Sequence, residues 1–209
     1  IEYSFNKKKS AMSPRSPAQF EKMRSERETV ILQTALELFT DRGYNNTSIA
    51  AIAKKAGMAT GLLYNYFAGK EELLQVLLHK CMEEMMAPLA PLMDCLDTID
   101  GWQQVVDRLL ESLQNNSVQW TLYFSLFLQP SMQGRMPASI TEADGHFIAA
   151  LHRCLDRAGV EDPQTESMLF HFAMIGAMVQ HAMNPGFFPL NSVAATLKGH
   201  LESFRSKAR

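Results

Sequence analysis

The residues from Thr47 to Lys70, TSIAAIAKKAGMATGLLYNYFAGK, form the run whose types and spacing suit chemistry best. It places small and polar side chains (Thr60, Gly61, Asn65) beside two tyrosines (Tyr64, Tyr66) and ends on a lysine. Such a surface meets a polyanion rather than transforming a substrate. Catalytic and metal-binding constellations are absent by comparison. His171 and His181 stand ten apart and His146 and His152 six apart, and neither spacing is the i, i+4 pair of a helical metal site. His79 and Cys81 fall on different faces of a helix, no CxxC occurs, and no G-x-S-x-G elbow presents a serine. No catalytic residue, metal or cofactor is therefore expected.

The elements that must hold this run are helices. Ile31, Ala35, Leu38 and Phe39 follow a helical period, so residues 20 to 42 read as an amphipathic helix that Gly43 ends. Thr47 or Ser48 caps a second helix with Ile49, Ile52, Ala53 and Ala56 on its apolar face. Gly57 supplies a turn tolerant of positive φ. A short third helix follows over 59–66, in which Leu62, Leu63 and Phe67 turn inward. A fourth starts at Lys70, with Glu71 and Glu72 in its first turn, where the helix dipole favours acids. Further helices are predicted near 70–92, 101–115, 117–129, 138–158, 164–184 and 191–206, with Pro88 and Pro91 ending or kinking the first of these. The fold class is all-α, with about nine helices: an N-terminal three-helix helix-turn-helix domain and a larger helical domain. Residues 1–19 read as a tail, 20–68 as the three-helix head and 69–209 as the larger helical body.

The spacing of the second and third helices is that of a helix-turn-helix, whose second helix enters the major groove. Two short helices with a glycine turn also occur as plain packing. Tyr64, Tyr66, Phe67 and Lys70 in register weigh against that alternative. From Ile31 to Leu74 the sequence resembles the DNA-binding domain of TetR-family transcriptional regulators. The matching marks are Ala35…Leu38-Phe39, Gly43-Tyr44, Thr47-Ser48-Ile49, Ile52-Ala53, Ala56-Gly57, Gly61, Leu63-Tyr64, Tyr66-Phe67 and Lys70-Glu71-Glu72-Leu73. The resemblance implies that Thr47 and Ser48 contact phosphate. It implies that Thr60, Gly61 and Asn65 face the groove, that Tyr64 and Tyr66 reach backbone or a base edge, and that Lys70 contacts phosphate. Two departures stand out. Ala59 occupies a position where the family commonly has a capping Ser or Thr, and the recognition helix carries no Arg or Lys to read guanine.

The remaining chain matches the family only in length and helical character. By resemblance it senses a ligand and dimerises. Ala173, Gly176 and Ala177 make a small-residue stripe, and Val193, Leu197, Leu201 and Phe204 share a face. These two helices resemble the family's dimerisation pair. Methionines and aromatics crowd the middle helices, among them Met82, Met85, Met86, Met93, Trp102, Tyr123, Phe127, Phe170, Phe172 and Met174. For each, core packing competes with ligand contact. A ligand pocket is expected near Trp120, Phe124 and Met178. Its ligand is expected to be mostly apolar or aromatic, because no charged residue occurs between Val118 and Gln133. The implied function is a ligand-responsive, sequence-specific regulator, most often a repressor, bound as a homodimer to a palindromic double-stranded DNA operator. A helical small-molecule carrier or enzyme with a vestigial DNA-binding head is the reading from another class.

Charge and composition agree with this division. Residues 1–80 hold 12 Lys+Arg against 8 Asp+Glu, and residues 81–209 hold 8 against 14, so a basic head precedes an acidic body. Lys7, Lys8 and Lys9 supply much of that excess from the tail. Ile1–Pro17 has no apolar stretch and does not read as a signal peptide. No run is long enough to span a membrane. Three widely spaced cysteines, Cys81, Cys95 and Cys154, fit a reducing, cytoplasmic setting better than a disulfide framework.

Overall fold

Ser16 starts the first helix with a reciprocal cap: its hydroxyl accepts from the Gln19 amide (3.3 Å) while Gln19 Oε1 accepts from the Ser16 amide (3.0 Å). Pro17, at the first helical position, loses no hydrogen bond there. The computed structural model describes residues 16–132 and 138–207. The lysine-rich start of the tail lies outside these.

Among the described residues there are nine α-helices and no strand. They are α1 (Pro17–Arg42), α2 (Ile49–Lys55), α3 (Thr60–Leu63), α4 (Lys70–Met86), α5 (Ile99–Asn115), α6 (Ser117–Phe127), α7 (Ala138–Arg157), α8 (Pro163–Met183) and α9 (Leu190–Lys207). Their positions follow the sequence reading closely except at three ends, one of which is α3, closed after a single turn at Leu63 rather than running to 66. α1 begins earlier, because Ser16, Pro17 and Gln19 are a better start signal than the apolar period that follows. α4 stops at Met86 rather than 92, because Pro88 and Pro91 cannot donate to the ladder. The chain continues as a 3-10 segment, Ala87–Cys95, with Pro91 inside it.

The start of α5 approaches this segment closely. A Cβ on Gly101 would stand 1.9 Å from the Cys95 carbonyl oxygen, so only glycine fits that corner. The Thr98 hydroxyl caps α5 by accepting from the Gly101 amide at 3.1 Å. Trp102, the next residue and fully buried, donates its indole N–H to the Leu96 carbonyl at 2.8 Å. Trp102 is therefore core.

One buried apolar cluster runs from Ile31 on α1 through Leu73, Leu74, Leu77 and Leu78 on α4 to Phe204 on α9. α1 packs on α2, α4 and α6, so the head is joined to the body by shared core rather than by a linker. α7 lies on α8, and α5 on α9. The last pair is tied at its surface by Lys198 Nζ to both Asp107 oxygens (2.7 and 2.9 Å). All three cysteines are free, and Cys95 is exposed. Burial pushes the Cys81 thiol up to about 12 and the Cys154 thiol up to about 11, which leaves both unreactive at neutral pH. Among the described residues no helix is long and apolar enough to cross a membrane.

Candidate nucleic-acid interface

The turn between α2 and α3 follows from Gly57, which takes φ +69. With the chain in that left-handed conformation, the Gly57 amide donates to the Lys54 carbonyl (3.2 Å) and the Met58 amide to the Ala53 carbonyl (2.9 Å). This pair of bonds closes the C-terminus of α2 and sets the angle at which α3 leaves. At the other end of α2, Ser48 is the cap, its hydroxyl accepting from the Ala51 amide at 3.1 Å.

α3 is a single turn. Ala59 is extended, sits at the cap position and offers no side-chain hydrogen bond. Thr60 is thus the first helical residue, and the helix keeps the register of the family pattern without its cap. Leu63 and Phe67 are buried and fix α3 against the head. Thr60, Gly61, Tyr64 and Asn65 are exposed, and Tyr64 shows 52% of its surface. Gly61 has open space where a Cβ would stand, so the protein's own packing does not require a glycine there. Tyr66 is half-buried.

Two expected phosphate contacts have other tasks. Thr47 is only 2% exposed, and its hydroxyl points to the Leu38 (3.2 Å) and Gly43 (3.0 Å) carbonyls. It braces the turn after α1 and has no surface to offer DNA; Ser48 keeps the exposed position beside it. Lys70 Nζ donates to the Tyr44 (2.8 Å) and Thr47 (2.9 Å) carbonyls and lies 4.2 Å from the centre of the Tyr44 ring. Burial lowers the pKa of its ammonium. Two of its three N–H groups are spent, leaving at most one for a phosphate. Its main work is to pin the start of α4 to the α1–α2 turn. Spacing alone could not separate these roles, because a lysine at a helix start suits both.

The structure also brings in basic residues that sequence reasoning missed. The first turns of α1 run beside α3 and enclose an open groove of about 560 Å³. Phe20, Arg24 and Arg27 line it from α1, and Leu62, Asn65 and Tyr66 from the far side. The Arg24 guanidinium stands 5.9 Å from the centre of the Tyr66 ring. Arg24 and Arg27 sit three apart and so share one helical face. That spacing was visible in the sequence, but it precedes the recognisable motif.

A second site lies in the body. Trp120 on α6 and Met178 on α8 line a cleft with about 60 Å³ of free space, together with Met82 and Met86 on α4 and Phe147 on α7. Phe124, the third expected ligand contact, is absent from that lining. It is buried behind, stacked on Trp120 with ring centres 5.5 Å apart. The Trp120 indole donates to Ser112 Oγ (3.3 Å), which donates to the Met85 carbonyl (2.6 Å), so the ring is held in place. The cleft is also less apolar than α6 alone suggested. α7 brings Asp144 and α8 brings His171, beside Tyr123. Burial raises the Asp144 carboxyl and lowers the His171 imidazole, each partly offset by the other's charge. Burial, and then Asp144, push the Tyr123 phenol up. His171 is 7% exposed, and its Nδ1 has no hydrogen-bond partner among the described residues. No group of three or more His, Cys, Asp or Glu suited to a metal ion occurs among them.

Residues 31–77 match the family described as bacterial regulatory proteins, tetR family. The chain is 46% identical over 54 residues to the HTH-type transcriptional regulator YuxN of Bacillus subtilis (strain 168), a match covering 26% of this chain and 19% of that protein. It is 32% identical over 104 residues to the HTH-type transcriptional repressor KstR2 of Mycolicibacterium smegmatis, covering 49% of this chain and 42% of that one. The chain thus spans less than half the length of either relative. Among solved structures, a TetR-like transcriptional regulator from Rhodococcus sp. RHA1 superposes with a TM-score of 0.71 at 21% identity, over 84% of this chain and 93% of that one. That likeness carries the fold.

Proposed function

We propose, from the tetR-family match of residues 31–77, that the chain is a ligand-responsive repressor, a regulator rather than an enzyme, that binds a palindromic operator as a homodimer. The observation that carries this reading is α3. Its Thr60, Gly61, Tyr64 and Asn65 are exposed on a turn fixed by Gly57, with Leu63 and Phe67 anchoring them from behind. The unoccupied space at Gly61 leaves room for close approach of a nucleic-acid backbone. Ser48, Tyr66, Arg24 and Arg27 flank α3 and supply phosphate contacts, and Lys70 supports them from the head. With no Arg or Lys on α3, base preference rests on Asn65, on contact with thymine methyls and on DNA shape.

Dimerisation is supported by α8. Leu169, Phe172 and Met183 are exposed on it, Phe187 and Phe188 follow it, and the face at Gly176 is open. An apolar surface of this kind is rare on a monomer. In this reading residues 20–68 bind DNA and 69–209 dimerise and hold the ligand in the cleft of Trp120 and Met178. The ligand acts by binding better to the arrangement that does not fit DNA. α4 is the connection, since it meets the head at Lys70 and the cleft at Met82 and Met86.

The test is selection of bound sequences from a random duplex pool with the full chain, followed by footprinting and sedimentation. The expected result is an inverted repeat whose half-sites lie about 34–36 Å apart, bound by two copies. A monomer that enriches no sequence at micromolar concentration would refute the reading.

A further inference from the structure

The cleft between α4, α5, α6, α7 and α8 contains three polar groups, one of which carries a buried atom without a partner among the described residues. Asp144, His171 and Tyr123 meet there, against Trp120, Phe147 and four methionines (Met82, Met86, Met174 and Met178). Among the described residues no Lys or Arg pairs with Asp144; its one charge partner is His171. The His171 ring is packed 6.0 Å from Phe147 and 5.9 Å from Phe172, centre to centre, which holds it in the wall with Nδ1 unpartnered. Buried polar atoms are normally paired, so an unpartnered Nδ1 on a residue that lines a cavity marks a place for a ligand atom.

We propose that the cleft takes a lipophilic organic cation: an apolar or aromatic body carrying one ammonium head that docks on Asp144, His171 Nδ1 and the Tyr123 hydroxyl. This rests on the reading of the cleft as the ligand site and adds the charge of the ligand. The three groups all offer acceptors. A carboxylate accepts only, a neutral imidazole accepts at its bare nitrogen, and a phenol oxygen accepts as well. A primary ammonium has three N–H groups and no lone pair, which matches that set. Burial favours the neutral imidazole, so His171 presents a lone pair rather than a competing charge. Aromatic faces and polarisable thioethers attract a desolvated cation and adapt to varied bodies. A carboxylate ligand would face Asp144 with no described cation to balance it, at a steep cost in desolvation. The free space of about 60 Å³ is smaller than an aromatic ring system, so the methionine side chains must move aside on entry.

The experiment titrates the full chain at pH 7.5 by calorimetry with three molecules of one body: 1-naphthylmethylamine, 1-naphthalenemethanol and 1-naphthoate. The amine is expected to bind about tenfold more tightly than the alcohol, the difference a charge-assisted hydrogen bond makes. The naphthoate is expected to bind weakest. In Asp144→Asn the amine should lose that advantage while the alcohol stays within about threefold of its wild-type affinity. A naphthoate that binds as well as the amine, or an Asp144→Asn variant with an unchanged ranking, overturns the cation assignment and leaves the cleft as a ligand site. Failure of all three to bind the wild-type chain overturns both. The wild-type ranking decides even if the variant misfolds.

Discussion

The head and the cleft treat polar groups in opposite ways. In the head, buried polar atoms are spent on the protein itself: Thr47 closes onto Leu38 and Gly43, and Lys70 onto Tyr44 and Thr47. What remains for a partner is exposed and held on a fixed backbone. In the cleft, Asp144 and His171 are withdrawn from water and His171 Nδ1 is left without a described partner. A site finished before its partner arrives suits a long, rigid polyanion. An unfinished one suits a small molecule whose arrival must change the energy of the fold, because a ligand shifts an equilibrium only through its differential affinity.

The comparison breaks most visibly at Lys70. Lys70→Ala should cost the protein about 1.5–3 kcal/mol, the range for losing hydrogen bonds to a charged group; the Tyr44 carbonyl keeps the Thr47 amide as a partner. Denaturant unfolding measures this. A loss of DNA affinity with unchanged stability would return Lys70 to the phosphate role and make the head less self-satisfied than described. Next in size are Arg24→Ala and Arg27→Ala. Each should weaken binding to every DNA sequence by about tenfold near physiological salt and flatten the salt dependence by about one unit per subunit. Anisotropy titrations across a salt series check both, and an altered base preference with the slope intact would count against phosphate contact.

Ala59→Ser should then raise stability by about 1 kcal/mol, since Ala59 already holds the cap position and lacks only the hydroxyl. A thermal melt reads the gain, and an unchanged midpoint would mean that α3 starts elsewhere in solution. The smallest effect is the pH dependence of Asp144→Asn. Burial raises the folded carboxyl's pKa, so ionising it opposes folding. That penalty is absent below the unfolded value of about 4, grows as pH rises toward the raised folded value and is full above it. The variant escapes it, so it should melt slightly higher than wild type at pH 7, with the gain fading at acid pH. A variant that melts lower at pH 7 would show Asp144 to be stabilised where it stands, and the cleft to be as finished as the head.

The two regions also differ in how much the sequence told. The head could be read because its parts are contiguous: Gly57 to Phe67 is one short stretch, and apolar spacing names Leu62, Leu63 and Phe67 as anchors, of which Leu63 and Phe67 are buried and Leu62 lines the groove. Its errors concern direction. A one-dimensional pattern does not say whether the Thr47 hydroxyl or the Lys70 ammonium turns to the protein or away from it. The cleft was half-legible for another reason. Periodicity describes each helix alone, and the scarcity of charge on α6 was real. Asp144 and His171 arrive from α7 and α8, about twenty and fifty residues further along, and only packing brings them to Trp120. Phe124 was misplaced by the same limit, since two aromatics one helical turn apart can have one facing the space and one filling the wall behind it.

α4 has a consequence best put in terms of gearing. Its 17 residues make a rod about 25 Å long, free of Gly and Pro within and stopped at Met86 by the proline-bearing 3-10 segment. One end is bolted through Lys70 to the turn that carries α2, and the other presents Met82 and Met86 to the cleft. If the Met86 end of the rod is shifted by about 2 Å, a rod of that length swings by about 5°. The head turns with it, because the bolt has two hydrogen bonds and an aromatic face and little play. If two copies bind DNA as proposed, the two rods swing in opposite senses, and the mismatch between paired recognition helices is twice what either copy feels. DNA has a fixed pitch and cannot follow both, which lets an adjustment no larger than a methyl group open or close a contact across a whole helical turn.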